Sequence, residues 1–304
     1  MGAIFSDADI APPPKRILWW GNVRGLTYKQ RLAFASKHGF DALNISPFDV
    51  VALLETGETL SSIKAMADDA GQKLTYLDPI VSWLPDWRPI GAAEEMIPFL
   101  EAGLGRELEF AQALGIDRLL TITAFPEGRY NRDEIAQRLY AFADKAASLG
   151  MVCVLEAMPM WGLKRFADVV DVWRRIDRPD VKLMFDTWHY CRGGRSDHLI
   201  SELPSGAIDH VQFADGTAAK PNTMTLFEDC LYHRLPIGEG ALPIDDLAKI
   251  LAAAGHLNSV GPEVFSRIFD ELPADQLAAA LMPGFENVVS KHCDNLSGVG
   301  IGHG

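Results

Sequence analysis

Four oxygen-bearing side chains close short apolar runs: Glu156 in VCVLEAMP, Asp186 in VKLMFDTWH, Gln212 in HVQFADG and Glu263 in SVGPEVFS. Each run is long enough for one buried strand. A carboxylate embedded in such a run needs a partner, because an unpaired buried charge is costly or shifts its pKa until it is neutral. A shared divalent cation supplies that partner for the whole set; separate pairing of each acid with an arginine or a backbone N–H is the other solution. Two Glu, one Asp and one neutral oxygen donor form a hard, oxygen-rich set that suits Mg²⁺ or Mn²⁺ better than a softer metal.

The runs belong to a regular alternation. Apolar or β-branched stretches recur as ILWWGN (17–22), FDALNIS (40–46), KLTYLDP (73–79), DRLLTITA (117–124), MVCVLEA (151–157), DVKLMFD (180–186), IDHVQFA (208–214) and NSVGPEVFS (258–266), eight candidate strands in all. Between them the helical period returns. In 131–149, Ile135, Leu139, Phe142, Ala146 and Leu149 fall at steps of four and three, and Asn131 with Glu134 matches a capping box. Leu104, Leu108, Ala111 and Leu114 repeat the pattern and end at Gly115, a left-handed cap. Further helices are expected over 27–38, 59–70, 166–176 and 244–254, with a short segment at 194–203. Strands alternating with helices predict a parallel sheet with right-handed crossovers, and eight units predict closure into an α/β (β/α)8 TIM barrel. An open doubly wound sheet is the alternative, but WWGNVRG lacks the GxGxxG spacing of its phosphate loop.

In such a barrel the ends of successive strands converge, so side chains far apart in sequence share one site. Glu156, Asp186, Gln212 and Glu263 would then be the metal ligands donated by strands five to eight. His210 lies two residues before Gln212 and therefore on the same face of the strand. Gln212 is nearer the C-terminal end and is assigned the metal; His210 is read as a deeper, hydrogen-bonded barrel residue.

Length and composition bound the rest. A chain of 304 residues, 48% hydrophobic, can bury one large core. The expected organisation is an N-terminal arm (1–16, with Pro12, Pro13 and Pro14), one barrel (17–290) and a C-terminal tail (291–304). The tail region from 275 could complete the eighth helix or reach a neighbouring subunit, so a homo-oligomer is possible. The opening residues carry acids and a proline run rather than a signal-like pattern, and no apolar stretch reaches membrane-spanning length, which predicts a cytoplasmic protein without membrane contact. Forty-one acids against 28 bases give a formal charge of −13, which repels nucleic acid. Four scattered cysteines without a CxxC fit reduced thiols.

From about Leu155 to Ser266 the chain resembles the xylose isomerase-like TIM barrels, a family of sugar isomerases, ketose 3-epimerases, inosose and dehydroshikimate dehydratases and endonuclease IV. The family pattern of Glu ending strand five, Asp-x-x-His after strand six, His or Gln on strand seven and Glu ending strand eight falls on Glu156, Asp186 with His189, Gln212 and Glu263. GEGALP (238–243) is similar to the family's Gly-x-Gly turn. The resemblance implies one divalent metal ion, Mn²⁺ or Mg²⁺ with Co²⁺ or Zn²⁺ as further possibilities, and a sugar-like or cyclic polyol substrate. It also implies Glu156 and Glu263 as an acid/base pair and His189 as a contact to a substrate oxygen. Gln at the strand-seven position is used by some dehydratases of the family and leans toward the lyase branch. The larger histidine and acidic set of the nucleases is missing.

Around this centre, Trp188 could wall the pocket or pack beneath the loop. Trp83 and Trp87 sit in WLPDWRP, which resembles a lid, and are expected near the site. Arg88 and Arg234 are candidates for holding a carboxylate or phosphate, with a surface salt bridge as the ordinary alternative for each. The predicted function is a metal-dependent isomerase/epimerase that abstracts a proton next to a carbonyl and passes through an enediolate. A metal-dependent dehydratase and a non-catalytic barrel subunit are the alternatives.

Overall fold

The computed structural model describes residues 12–85 and 94–293. Eight parallel strands pair in sequence order and close into a barrel: β1 (Lys15–Leu18), β2 (Ala42–Ile45), β3 (Lys73–Ile80), β4 (Arg118–Thr121), β5 (Val152–Leu155), β6 (Val181–Asp186), β7 (Ile208–Phe213) and β8 (Ser259–Pro262). The seam is closed by Lys15 opposite Ser259 and Arg16 opposite Val260. The expected fold is therefore the observed one. Among the described residues no helix is long and apolar enough to cross a membrane.

Local chemistry sets the element ends. The Asn131 side chain accepts from Glu134 N–H while Glu134 reaches back to Asn131 N–H, the capping box that starts the helix Arg132–Ala147. Gly115, at φ 73°, ends the helix Glu107–Leu114. Two boundaries differ from the sequence expectation. The first strand begins at Lys15, inside the expected arm, and WWGN is a tight turn over Trp20–Asn22 rather than strand. At the other end, the helix Ala274–His292 continues past Pro283 into the expected tail. Residues 1–11 of the arm and 294–304 of the tail lie outside the described residues.

The barrel has two apolar compartments. The outer one packs the outward strand faces against the helices. The inner one fills the lumen with Ile17, Trp19, Ala42, Tyr76, Leu120, Val154 and Met184. Strand residues alternate between the two faces, so the next inward position on a strand lies two residues further on. Applied to Tyr76, Val154, Met184 and His210, that step gives Asp78, Glu156, Asp186 and Gln212. The apolar plug is thus the floor on which a layer of polar groups stands.

Gly261 makes room for the plug at the seam. A Cβ there would lie 2.1 Å from the Ile17 carbonyl oxygen and 3.0 Å from the Trp19 ring. Because the obstacle is backbone, Gly261→Ala is expected to destabilise by roughly 1–3 kcal/mol, the usual range for overpacking, read as a lower midpoint in urea unfolding.

Candidate metal centre

Asp186 ends β6 and also caps the helix Thr187–Gly193: its Oδ1 accepts from His189 N–H at 2.8 Å. That bond explains the Asp-x-x-His spacing, since the cap and the third helical residue are held together. The other oxygen, Oδ2, takes no part in the cap and accepts from Arg234 Nη1 at 2.7 Å. Glu156 follows β5 and Glu263 follows β8, so the two glutamates flank the site with β6 and β7 between them. Ligand atoms of Glu156, Asp186, His189 and Glu263 all lie within 4.8 Å of one another, and all four residues are buried. Two metal–oxygen bonds of about 2.1 Å span ~4.2 Å, so the cluster is close to the size one ion needs.

Gln212 stands opposite Asp186 in the β6–β7 register. Its Nε2 donates to Glu263 Oε1 at 2.9 Å, and its amide oxygen is buried without a hydrogen-bond partner among the described residues. His210 sits one layer below. Its Nε2 accepts from Trp19 Nε1 at 2.8 Å, its Nδ1 is 2.7 Å from Ser259 Oγ, and burial lowers its pKa to about 3. Both ring nitrogens are thus engaged within the lumen.

Arg234 is neither a surface residue nor an open anion fork. It is completely buried, with Nη1 2.7 Å from Asp186 Oδ2 and 3.3 Å from Glu263 Oε2. Nη2 meets His189 Nε2 at 3.1 Å and Cys230 Sγ at 3.2 Å, and Nε donates to the Cys230 carbonyl. A guanidinium can only donate, so His189 Nε2 is the acceptor and the ring proton resides on Nδ1. Burial, assisted by Arg234, lowers the His189 pKa to about 3 against the pull of Asp186, which keeps the imidazole neutral. Its approaches of 3.7 Å to Glu156 and 3.9 Å to Asp186 are therefore not ion pairs.

One guanidinium faces three carboxyls. Burial pushes Asp186 up, but Arg234 and then His189 outweigh it and hold the group below its ordinary range. Glu156 is pushed well above that range, by burial first and by repulsion from Asp186 and Asp78 next. Glu263 is also pushed well above it: burial leads and outweighs the pull of Arg234, with repulsion from Asp186 and Glu156 adding to the rise. Among the described residues Glu156 Oε1 and Gln212 Oε1 are buried with no hydrogen-bond partner. Three buried carboxyls against one guanidinium, two of them resisting ionisation until a further positive charge arrives, together with two unsatisfied oxygen acceptors, fit a divalent cation held by Glu156, Asp186, Gln212 and Glu263.

Asp78, two residues before the end of β3, completes the polar layer and was not singled out from sequence, although KLTYLDP carries the same signal of an acid closing an apolar run. Its Oδ2 accepts from Trp20 Nε1 and Asn44 Nδ2, both at 3.1 Å. Burial raises its pKa to about 7 against those two bonds. The folded chain therefore holds a proton there that the unfolded chain releases near pH 4, so this group makes stability fall as pH rises from about 4 to about 7. Asp78→Asn is expected to flatten that fall in metal-free protein, measured as urea midpoints across this pH window.

Above the layer opens a cavity whose space, mouth included, is about 540 Å³. Asp78, Glu156, His189, Arg234 and Glu263 line it, together with Trp20 and Trp161. Trp83 is not at this wall: it is buried in the outer core with its N–H donated to the Ile122 carbonyl, so the lid reading fails for it. Trp188 packs beneath the site, fully buried, with the Arg234 guanidinium 4.9 Å from its ring centroid. Trp87 and Arg88 lie outside the described residues. Asp215, just past β7, was also missed. It accepts from the backbone N–H groups of Gly216, Gly238, Gly240 and Leu242, which folds GEGALP against the barrel. Gly240 is obligatory there, since a Cβ would come within 2.3 Å of Asp215 Oδ1.

Comparison with known proteins agrees with this architecture. An inosose isomerase of Bacillus velezensis is 23% identical over 270 residues, covering 87% of this chain and 92% of that one. A 3-dehydroshikimate dehydratase of Pseudomonas aeruginosa is 23% identical over 250 residues, which is 81% of this chain but 37% of that longer protein. The crystal structure of an IolI protein with a bound zinc atom superposes with a TM-score of 0.76 at 18% identity, over 91% of this chain and 99% of that one. The family model of the xylose isomerase-like TIM barrel matches residues 32–283, and the chain belongs to that family.

Proposed function

We propose that the protein is a divalent-metal-dependent isomerase or epimerase of a small hydroxy-carbonyl compound. The observation that carries this reading is the pair of buried glutamates, Glu156 and Glu263, facing each other across Asp186 and Gln212 at the mouth of the barrel. A cation held by Glu156, Asp186, Gln212 and Glu263 would polarise a carbonyl and acidify the neighbouring C–H. The oxygen-rich donor set favours Mn²⁺ or Mg²⁺, and the zinc of the related IolI structure keeps softer ions within reach.

The chain's own groups then divide the work. One glutamate takes the proton from the carbon beside the carbonyl, and the other returns a proton to the opposite face or to the neighbouring carbon. His189, neutral with its proton on an unpartnered Nδ1, offers one donor to a substrate oxygen. Arg234 holds Asp186 and Glu263 in place and supplies positive charge where an enediolate gathers negative charge. The loop side chains over the site exclude water from the intermediate.

A second reading, loss of water by a dehydratase, is favoured by Asp78. A carboxyl whose pKa is raised to about 7 inside the cavity can give its proton to a departing hydroxyl. The relatives include both reaction types, inosose isomerases and 3-dehydroshikimate dehydratases. Incubation in D₂O with a panel of ketoses, inososes and dehydroshikimate, followed by mass spectrometry, separates them. Deuterium gain without loss of 18 mass units, the mass of about one water, supports the isomerase; loss of water supports the dehydratase. Neither change on any member of the panel counts against both.

A further inference from the structure

The cavity over the carboxylates has two unlike halves. Its charged and hydrogen-bonding groups, Asp78, Glu156, His189, Arg234 and Glu263, stand at strand ends or are bonded to one. What the loops add to the described wall is apolar: Trp20 after β1, Phe99, Met158, Met160 and Trp161 after β5, and Phe227. These side chains brace one another. Trp20 lies 5.2 Å from Phe99 and meets Phe265 edge-on at 5.2 Å, and Trp161 lies 6.2 Å from Phe227. The one polar atom of Trp20 is committed to Asp78. Methionine is unbranched and polarisable, and the Met158–Met160 pair fits its shape to an irregular apolar guest.

A free sugar would place a hydroxyl on each carbon, including those under this upper wall. Each buried hydroxyl without a partner costs ~1–3 kcal/mol, and most of the Arg234 donors are already engaged by Asp186, Glu263, His189 and Cys230. An aryl or branched alkyl group in the same place gains burial instead. We propose that the substrate is a hydroxy-carbonyl compound bearing an aryl or branched alkyl substituent, with its reacting end between Glu156 and Glu263 and its apolar end among Phe99, Met160, Trp161 and Phe227. This rests on the reading of the floor as a hydroxy-carbonyl site.

The test compares two probes with the same reacting group, 2-hydroxyacetophenone and dihydroxyacetone, titrated calorimetrically into Mn²⁺-loaded protein. The aryl ketone is expected to bind at least about tenfold more tightly, the usual worth of filling an apolar pocket. Met160→Gln keeps the length of a half-buried side chain while making it polar, and is expected to shrink that ratio. Equal or tighter binding of dihydroxyacetone, no binding of either compound, or an unchanged ratio in Met160→Gln overturns the proposal. Hydrogen exchange from the same probes in D₂O is followed in parallel by mass spectrometry. Preferential binding of the aryl ketone without exchange leaves the substrate class standing and removes the isomerase reading.

Discussion

Glu156→Gln and Glu263→Gln are each expected to lower turnover by about three orders of magnitude, the middle of the range for losing a general acid or base, while the barrel stays folded. Glutamine keeps the volume of glutamate but can neither take a proton from carbon nor give a ligand its charge. The fold does not depend on either negative charge. Both groups are pushed well above the ordinary carboxylate range, which means that the folded protein resists ionising them. Neutral replacements should therefore leave the thermal midpoint of metal-free protein unchanged or higher. Steady-state kinetics with melting curves on both variants checks this, and retained activity in both would refute the acid/base assignment.

Arg234→Met is expected to produce the largest loss of stability. The guanidinium is the positive charge placed against Asp186 and Glu263, and it is wholly buried. Removing one partner from a buried charged cluster costs roughly 3–5 kcal/mol, because the remaining charges stay buried without compensation. Methionine fills most of the space left beside Trp188 and Phe265, so the loss reports charge rather than packing. Mn²⁺ supplies the missing charge and should recover stability, by about 4 kcal/mol at a thousandfold excess over the dissociation constant. Urea unfolding with and without Mn²⁺ measures both halves. An Arg234→Met protein as stable as the parent without metal would show that the carboxylates are neutralised in some other way.

Much of this site could be read from sequence because barrel strands alternate strictly. Val154 and Met184 belong to the lumen plug, and the polar residue two positions on, Glu156 or Asp186, necessarily stands above it at the strand end. The assignment of Gln212 over His210 to the upper layer used the same rule, and the structure places His210 in the plug between Trp19 and Ser259. Asp78 obeys it too: it lies two positions beyond the plug residue Tyr76 in KLTYLDP, but the family pattern of ligands on strands five to eight does not reach strand three.

Arg234 shows what the pattern does not carry. It lies on a connection whose course is fixed by backbone bonds to two strands' ends: Leu235 exchanges both hydrogen bonds with Asp215, and Arg234 N–H donates to the Phe265 carbonyl. Nothing in its local sequence announces those distant partners. Trp83 fails for a related reason. An irregular Pro-containing stretch looks like a lid, but the indole N–H finds the Ile122 carbonyl and draws the ring into the core. The helix Pro47–Glu55 was missed although Ser46 and Asp49 form its capping box, because its apolar residues run together without a clear helical period.

The central claim is that Glu156, Asp186, Gln212 and Glu263 together hold one divalent ion. It is tested most directly by the manganese content of chelator-stripped protein after equilibration with Mn²⁺ and removal of free ion, in the parent and in Asp186→Asn. Asparagine caps a helix as well as aspartate does, so the variant keeps the turn that carries His189 and loses only the ligand charge. The account predicts about one ion per chain in the parent, the stoichiometry of a single oxygen-ligated site, and almost none in the variant. No retained manganese in the parent, or equal retention in both proteins, would contradict it.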